Sequence, residues 1–269
     1  MSEDTVRLGG MALANGVLVH GARNWACAIR TDDGRVQVAS DRKRIRSVDV
    51  SSPLLRGPAR LAEVIALLPA VSRALPDARM PFLERRVLGV MVGTALAARG
   101  LRASKLSFAA QEGLSALLAV VPVALALRGS TLAEYHGAEH IAIGSYEHGE
   151  PRPREHERCG SHMLGPLLVS TAAGNALATA ADVSPGGRTL ARGAVAVGSV
   201  AVAGEIFTWM QKHPSNPVSR ALAWPGRELQ SRFLTAEPTP EQLEVARLAL
   251  VECVRRELAD EAEADDAGR

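Results

Sequence analysis

Four apolar runs dominate this chain: Val87–Leu101, Leu114–Leu127, Met163–Ala181 and Leu190–Met210. The last two approach the roughly 20 residues a helix needs to cross a bilayer, and the first two are short. All four are rich in Ala and Gly rather than Leu and Phe, which weakens insertion. Small residues also let membrane helices pack closely, so composition alone does not separate a bundle in lipid from a soluble Ala-rich helical core. Counted as spans, the four runs put the N-terminal region, the central loop and the C-terminal tail on one side. Those parts carry many arginines and lysines, as the positive-inside rule expects of the cytoplasm. The expected fold is therefore mainly α, a four-span Ala-rich membrane bundle with a small N-terminal β-rich unit and a C-terminal amphipathic helix.

The flanking segments define three expected units. Residues 1–60 form the β-rich unit. Its short strand-like runs Trp25–Thr31 and Arg35–Ala39 are separated by the hairpin signal Asp32-Asp33-Gly34, and Gly9-Gly10 marks a turn or a close approach. The basic cluster Arg42-Lys43-Arg44 with Arg46 reads first as a solvated loop, with anionic headgroups as the alternative partner. Residues 61–239 hold the apolar runs, and Leu61–Leu75 is helical by pattern. Residues 240–269 read as a helix over Pro240–Glu261 followed by a disordered acidic tail, Ala262–Arg269. A formal net charge of +2 and 3% aromatic residues argue against a nucleic-acid partner. Three widely spaced cysteines make no disulfide framework and fit a reducing compartment. Residues 1–20 lack the pattern of a signal peptide.

Chemistry-bearing side chains gather in one window. Of seven histidines, five lie there: His136, His140, His148, His156 and His162. The string Tyr135-His136-Gly137-Ala138-Glu139-His140 contains H-x-x-E-H, the order of inverted zinc peptidases. Gly129-Ser130-Thr131 caps the segment, and on a helix His136 and His140 share a face with Glu139 beside them. Two helix-end histidines with ordinary hydrogen bonds are the bland alternative. His156 and Cys159, three apart on a loop after Pro151 and Pro153, add a local chelate. Glu205 sits inside the apolar run Ala194–Met210, where a carboxylate pairs, binds an ion or serves function. An ion pair with an arginine such as Arg192 explains it equally well. Imidazole, thiolate and carboxylate together suit Zn²⁺ among divalent ions.

From Gly9-Gly10 onward the chain resembles the YqhQ family of bacterial membrane proteins, catalogued as predicted metal-dependent enzymes. The blocks that carry the likeness include Gly16-Val17, Leu55-Arg56-Gly57 with Glu63, Tyr135–His140, Tyr146-Glu147 and His156-Glu157-Arg158-Cys159-Gly160. Gly204-Glu205, Pro225-Gly226, Leu229-Gln230, Leu234-Thr235, Glu237-Pro238 and Gln242–Ala246 follow in order. The resemblance implies a multi-pass protein of the bacterial cytoplasmic membrane with a metal site. Departures mark a divergent member: Met11 replaces the family's glutamine, Asn15 its glutamate and Ile141 a lysine, and His162 is extra.

The leading expectation is a metal-dependent, hydrolase-like membrane protein. His136, His140, His156, Cys159 and Glu205 are the candidate ligands of a divalent ion, Zn²⁺ first, and Glu139 is the candidate general base. Tyr146, Glu147 and Arg158 are candidates for orienting ligands or substrate. The alternative is a non-catalytic structural or regulatory site closed by His136, His140, His156 and Cys159. A small-solute transporter, resting on Glu205 alone, ranks last. Expected partners are the lipid bilayer and a small-molecule or peptide substrate, with a homo-oligomer left open. Neither a phosphate-cradling loop nor a dinucleotide fingerprint is visible.

Overall fold

In the computed structural model the described residues are 6–80, 85–106, 111, 114, 118, 127, 129–180 and 187–267. Strands β1 (Gly9–Leu13), β2 (Gly16–His20), β3 (Asn24–Arg30) and β4 (Val36–Arg42) form one antiparallel sheet in that order. Gly34, at φ 84°, makes the β3–β4 turn, a conformation that suits a residue without Cβ. Alternation then sorts the side chains. Val17, Val19, Ala26 and Ala28 line one face, while Leu13, Leu18, Trp25, Cys27 and Ile29 line the other, and all are buried.

Each face has its own helical cover. The first packs on α3 (Thr131–His148) and α7 (Pro240–Ala267) through Tyr135, Ala138, Ala142, Val245, Ala246, Ala249 and Cys253. The many alanines keep this layer thin, so helix backbones come close to the sheet. The second face is covered by the C-terminal half of α1 (Pro53–Ala74), where Leu67 and Val71 are buried with Leu75 and Met80 just beyond it. Each such apolar side chain contributes about 1.5–3 kcal/mol of burial.

The turn between β1 and β2 is locked by Asn15. Its amide donates to the carbonyls of Arg30 (3.1 Å) and Asp77 (3.0 Å), and its oxygen accepts the Arg79 N–H at 2.9 Å. A carboxylate could make only the last of these bonds.

The remaining helices are α2 (Arg85–Ala103), α4 (Leu164–Ala180), α5 (Arg188–Lys212) and α6 (Pro217–Leu229). Helix α5 crosses α1 where two glycines meet: a Cβ on Gly204 would lie 3.2 Å from Gly57 Cα. Beside that crossing Arg56 reaches Glu205 at 2.9 Å. Among the described residues one stretch, Gly193–Lys212 of α5, is long and apolar enough to cross a membrane, and Val87–Leu101 is a shorter apolar helix. The run Met163–Ala181 begins at the last residue of a 3₁₀ turn, Gly160–Met163, and forms α4 as far as Ala180, with Ala181 outside the described residues. Most of Leu114–Leu127 lies outside the described residues.

Two expectations are corrected. The C-terminal helix does not stop at Glu261 but runs to Ala267. Its last turns are anchored: Glu257 accepts the N–H groups of Arg23 and Asn24, and Asp260 pairs with Arg42 at 2.6 Å. The basic cluster is not wholly solvated either, because Lys43 is buried in an ion pair with Glu63 of α1.

Candidate metal centre

Helix α3 starts where sequence placed it. Ser130 accepts the Ala133 N–H at 3.3 Å as N-cap, and Gly149, at φ 69°, closes the other end. Helical spacing brings His136, Glu139 and His140 onto one buried face. Two glycines of the same helix open room for neighbouring chain. A Cβ on Gly137 would sit 2.1 Å from the Ala236 carbonyl oxygen, and one on Gly144 would press on Arg152 and His156. The segments admitted there supply carbonyl acceptors. His136 Nδ1–H donates to Leu234 O at 2.9 Å and His140 Nδ1–H to Arg154 O at 2.6 Å.

Those two bonds decide the tautomers. A carbonyl can only accept, so each Nδ1 carries the proton and each neutral ring keeps its lone pair on Nε2. Cys159 arrives just before the 3₁₀ turn, with Sγ 3.6 Å from His136 Nε2. One donor atom from each of His136, His140 and Cys159 lies within 4.8 Å of the others. Two such donors at opposite edges of a tetrahedral zinc would be about 3.5 Å apart, given Zn–N near 2.0 Å and Zn–S near 2.3 Å. The donor set thus fits a soft or borderline divalent ion in both chemistry and spacing.

Electrostatics support the same grouping. Burial pushes the Cys159 thiol up, yet hydrogen bonds with His136 and His140 hold it well below the usual range. Burial pulls His136 down, but the Cys159 bond and the Glu139 charge outweigh it and raise His136 to about 9. Both shifts favour a thiolate beside a protonated imidazole in the ion-free group, a pairing a divalent ion could replace. Burial raises Glu139, which stands 3.9 Å from His136 and packs against Gly10 so tightly that a Cβ there would lie 2.4 Å from its Oε1.

The other expected residues are placed as follows. His156 borders the same cavity, with its ring centroid 5.5 Å from that of His140, but its Nε2 faces Glu147 Oε2 at 3.2 Å. Glu147 also pairs with Arg158, which reaches the cavity wall. Tyr146 accepts the Val6 N–H at 3.2 Å, tying the N-terminal segment to α3. Glu205 is not brought to the group: its partner is Arg56, not the arginine its own helix suggested. The site opens to a cavity of about 480 Å³, walled by Leu8–Ala12, His20, Leu132, Ile143 and Arg158 besides the histidines.

Sequence reasoning missed three contributors. Gln230 is fully buried and clamps the Cys159 loop, accepting His156 N–H at 3.0 Å and donating to His156 O and Ser161 Oγ. Gly10 makes the space for Glu139, and His20 lines the far wall. The Gly9-Gly10 pair was the one local signal of the last two. Nothing local marks Gln230.

A family model described as "Protein of unknown function (DUF1385)" matches residues 121–256, just over half of the chain, and covers α3 with His136, His140 and Cys159. No curated protein and no solved structure matches.

Proposed function

The chain belongs to that family of unknown function, and we propose that it is a metal-dependent, hydrolase-like protein whose divalent ion, Zn²⁺ first, sits on His136, His140 and Cys159. The observation that carries this reading is the fixing of both Nδ1–H groups on backbone carbonyls, which turns both Nε2 atoms toward one thiolate. Metal-binding histidines are oriented in this way by their outer partners. A zinc held by three protein ligands keeps a fourth position and acts there as a Lewis acid. Glu139, raised by burial and set on the cavity wall, is the general base that takes a proton from a water in the cavity. The Arg158–Glu147–His156 set braces the wall beside it.

A closed structural site would need His156 as fourth ligand. Its engagement with Glu147 favours the open, catalytic arrangement. We further propose a YqhQ-like, multi-pass location in the bacterial cytoplasmic membrane. Support comes from the Gly193–Lys212 window, of which only 33% is buried, and from exposed Leu88, Met91, Val92 and Leu96 on α2. The one carboxylate in that window is neutralised by Arg56. Elemental analysis of protein purified from membrane and soluble fractions tests both statements. One equivalent of metal, lost in His136→Ala and Cys159→Ser, is expected in the membrane fraction. Metal-free wild type overturns the metal reading, and wholly soluble protein overturns the location.

A further inference from the structure

The edge strand β1 carries two glycines in a row, and the chain uses the space on both sides of the sheet. On one side the Glu139 carboxylate fills the place of a Gly10 side chain. On the other, a Cβ on Gly9 would lie 2.8 Å from His20 Nε2. The His20 ring therefore lies over the bare backbone of the edge strand and joins the wall of the cavity that holds the metal group.

His20 is held from behind by a buried ion pair. Lys43 and Glu63 contact each other, and their side chains are 2% and 4% exposed. Lys43 Nζ stands 3.4 Å from His20 Nδ1, with Glu63 Oε1 at 3.8 Å. An ammonium can only donate, so Nδ1 must be the acceptor and Nε2 carries the proton. Burial and the Lys43 charge lower His20 to about 4, so the ring stays neutral in that tautomer. A backbone hydrogen bond at Gly21 also acts on the ring, and its Nε2 edge lies over the Gly9 backbone at the cavity wall.

We infer that His20 is a ligand-recognition residue, donating Nε2–H to an anionic oxygen of a small molecule held at the metal group, with Lys43 and Glu63 as its positioning residues. The inference rests on the metal reading above. A divalent ion on one thiolate and two neutral imidazoles takes an oxygen donor in its fourth position. Arg158 stands on the same wall and His20 adds a donor rather than an acceptor, while the Glu139 carboxylate beside His136 offsets the ion's residual charge. Both ends of the cavity therefore favour an anionic oxygen. Leu8, Met11, Leu132 and Ile143 between them suit an apolar portion of the same molecule.

The test uses full-length protein loaded with Co²⁺, whose visible spectrum reports the ion's surroundings. Inorganic phosphate and acetate are titrated separately, and the tighter of the two identifies the oxyanion class. His20→Ala should weaken the tighter anion at least tenfold while Co²⁺ affinity is unchanged. His20→Gln, whose amide can place a donor near Nε2, should recover part of the loss. Lys43→Met should move the His20 ring ¹⁵N shifts away from the pure Nε2–H pattern. Equal anion affinity in wild type and His20→Ala, with Co²⁺ bound in both, overturns this inference alone. Absence of any anion effect on the wild-type spectrum does so as well. Failure of wild type to take up Co²⁺ overturns the metal reading and this inference with it.

Discussion

Gly137→Ala sets two effects of opposite sign against each other. In a helix interior, alanine is favoured over glycine by about 1 kcal/mol, so local propensity predicts a more stable protein. The structure predicts the reverse. The new Cβ would lie 2.1 Å from the backbone oxygen of Ala236, and a backbone cannot swing aside as a flexible side chain can. Overpacking of this kind costs about 1–3 kcal/mol. The displaced segment also carries the Ala236 N–H bond to Ala133 O and the Leu234 carbonyl that holds His136, each 2.9 Å. Losing both adds roughly 1 kcal/mol apiece. After the propensity gain, net destabilisation is about 2–4 kcal/mol, and metal affinity falls because His136 loses its orienting acceptor. Urea titration of purified protein gives the first number and competition with a zinc chelator the second. Gly93→Ala is the matched control: among the described residues nothing lies within 4 Å of its Cβ position, so it should be neutral or stabilising. A Gly137→Ala protein as stable as wild type, with unchanged zinc affinity, would refute the close-approach argument.

Other outcomes follow from the same geometry. Asn15→Asp should destabilise by about 2–4 kcal/mol near neutral pH, because two carbonyls would then face a buried carboxylate; an unchanged urea midpoint contradicts that. Glu205→Gln should leave zinc stoichiometry and affinity unchanged, since Glu205 serves Arg56; a loss of zinc would return Glu205 to the ligand set. Acidification should weaken the fold through His20. The unfolded ring takes up its proton near pH 6.5 and the folded one only near 4. The contribution is therefore intact above pH 6.5 and is lost as pH falls to 4, on the order of 3 kcal/mol. His20→Gln should flatten that part of the stability profile, and a profile identical to wild type would show that another group governs it.

Much of the local structure was legible in the chain. The Asp32-Asp33-Gly34 hairpin, the Ser130 cap and the 136/139/140 face follow from turn chemistry and helical period, which act within a few residues. The extent of α7 was not, because its acidic end is stabilised by Arg42 and by the backbone donors of Arg23 and Asn24 at the start of β3, far away in sequence. Glu205 shows the same limit. A carboxylate in an apolar run announces a partner, but only the α1–α5 crossing selects Arg56.

By itself, the sequence determined which side chains could make a metal site: two imidazoles one helical turn apart, a thiol on a following loop and a carboxylate between. Side-chain chemistry and the helical repeat are local properties, so they can be read in order along the chain. The tertiary structure decided which of them converge and in what state. Two glycines on α3 admit distant backbone, whose carbonyls fix the imidazole tautomers. Gln230 holds the Cys159 loop, and Gly9-Gly10 brings Glu139 and His20 to one cavity from opposite faces of the sheet. Those choices depend on close packing between segments remote in sequence, and packing of that kind leaves only isolated glycines as its trace in the chain.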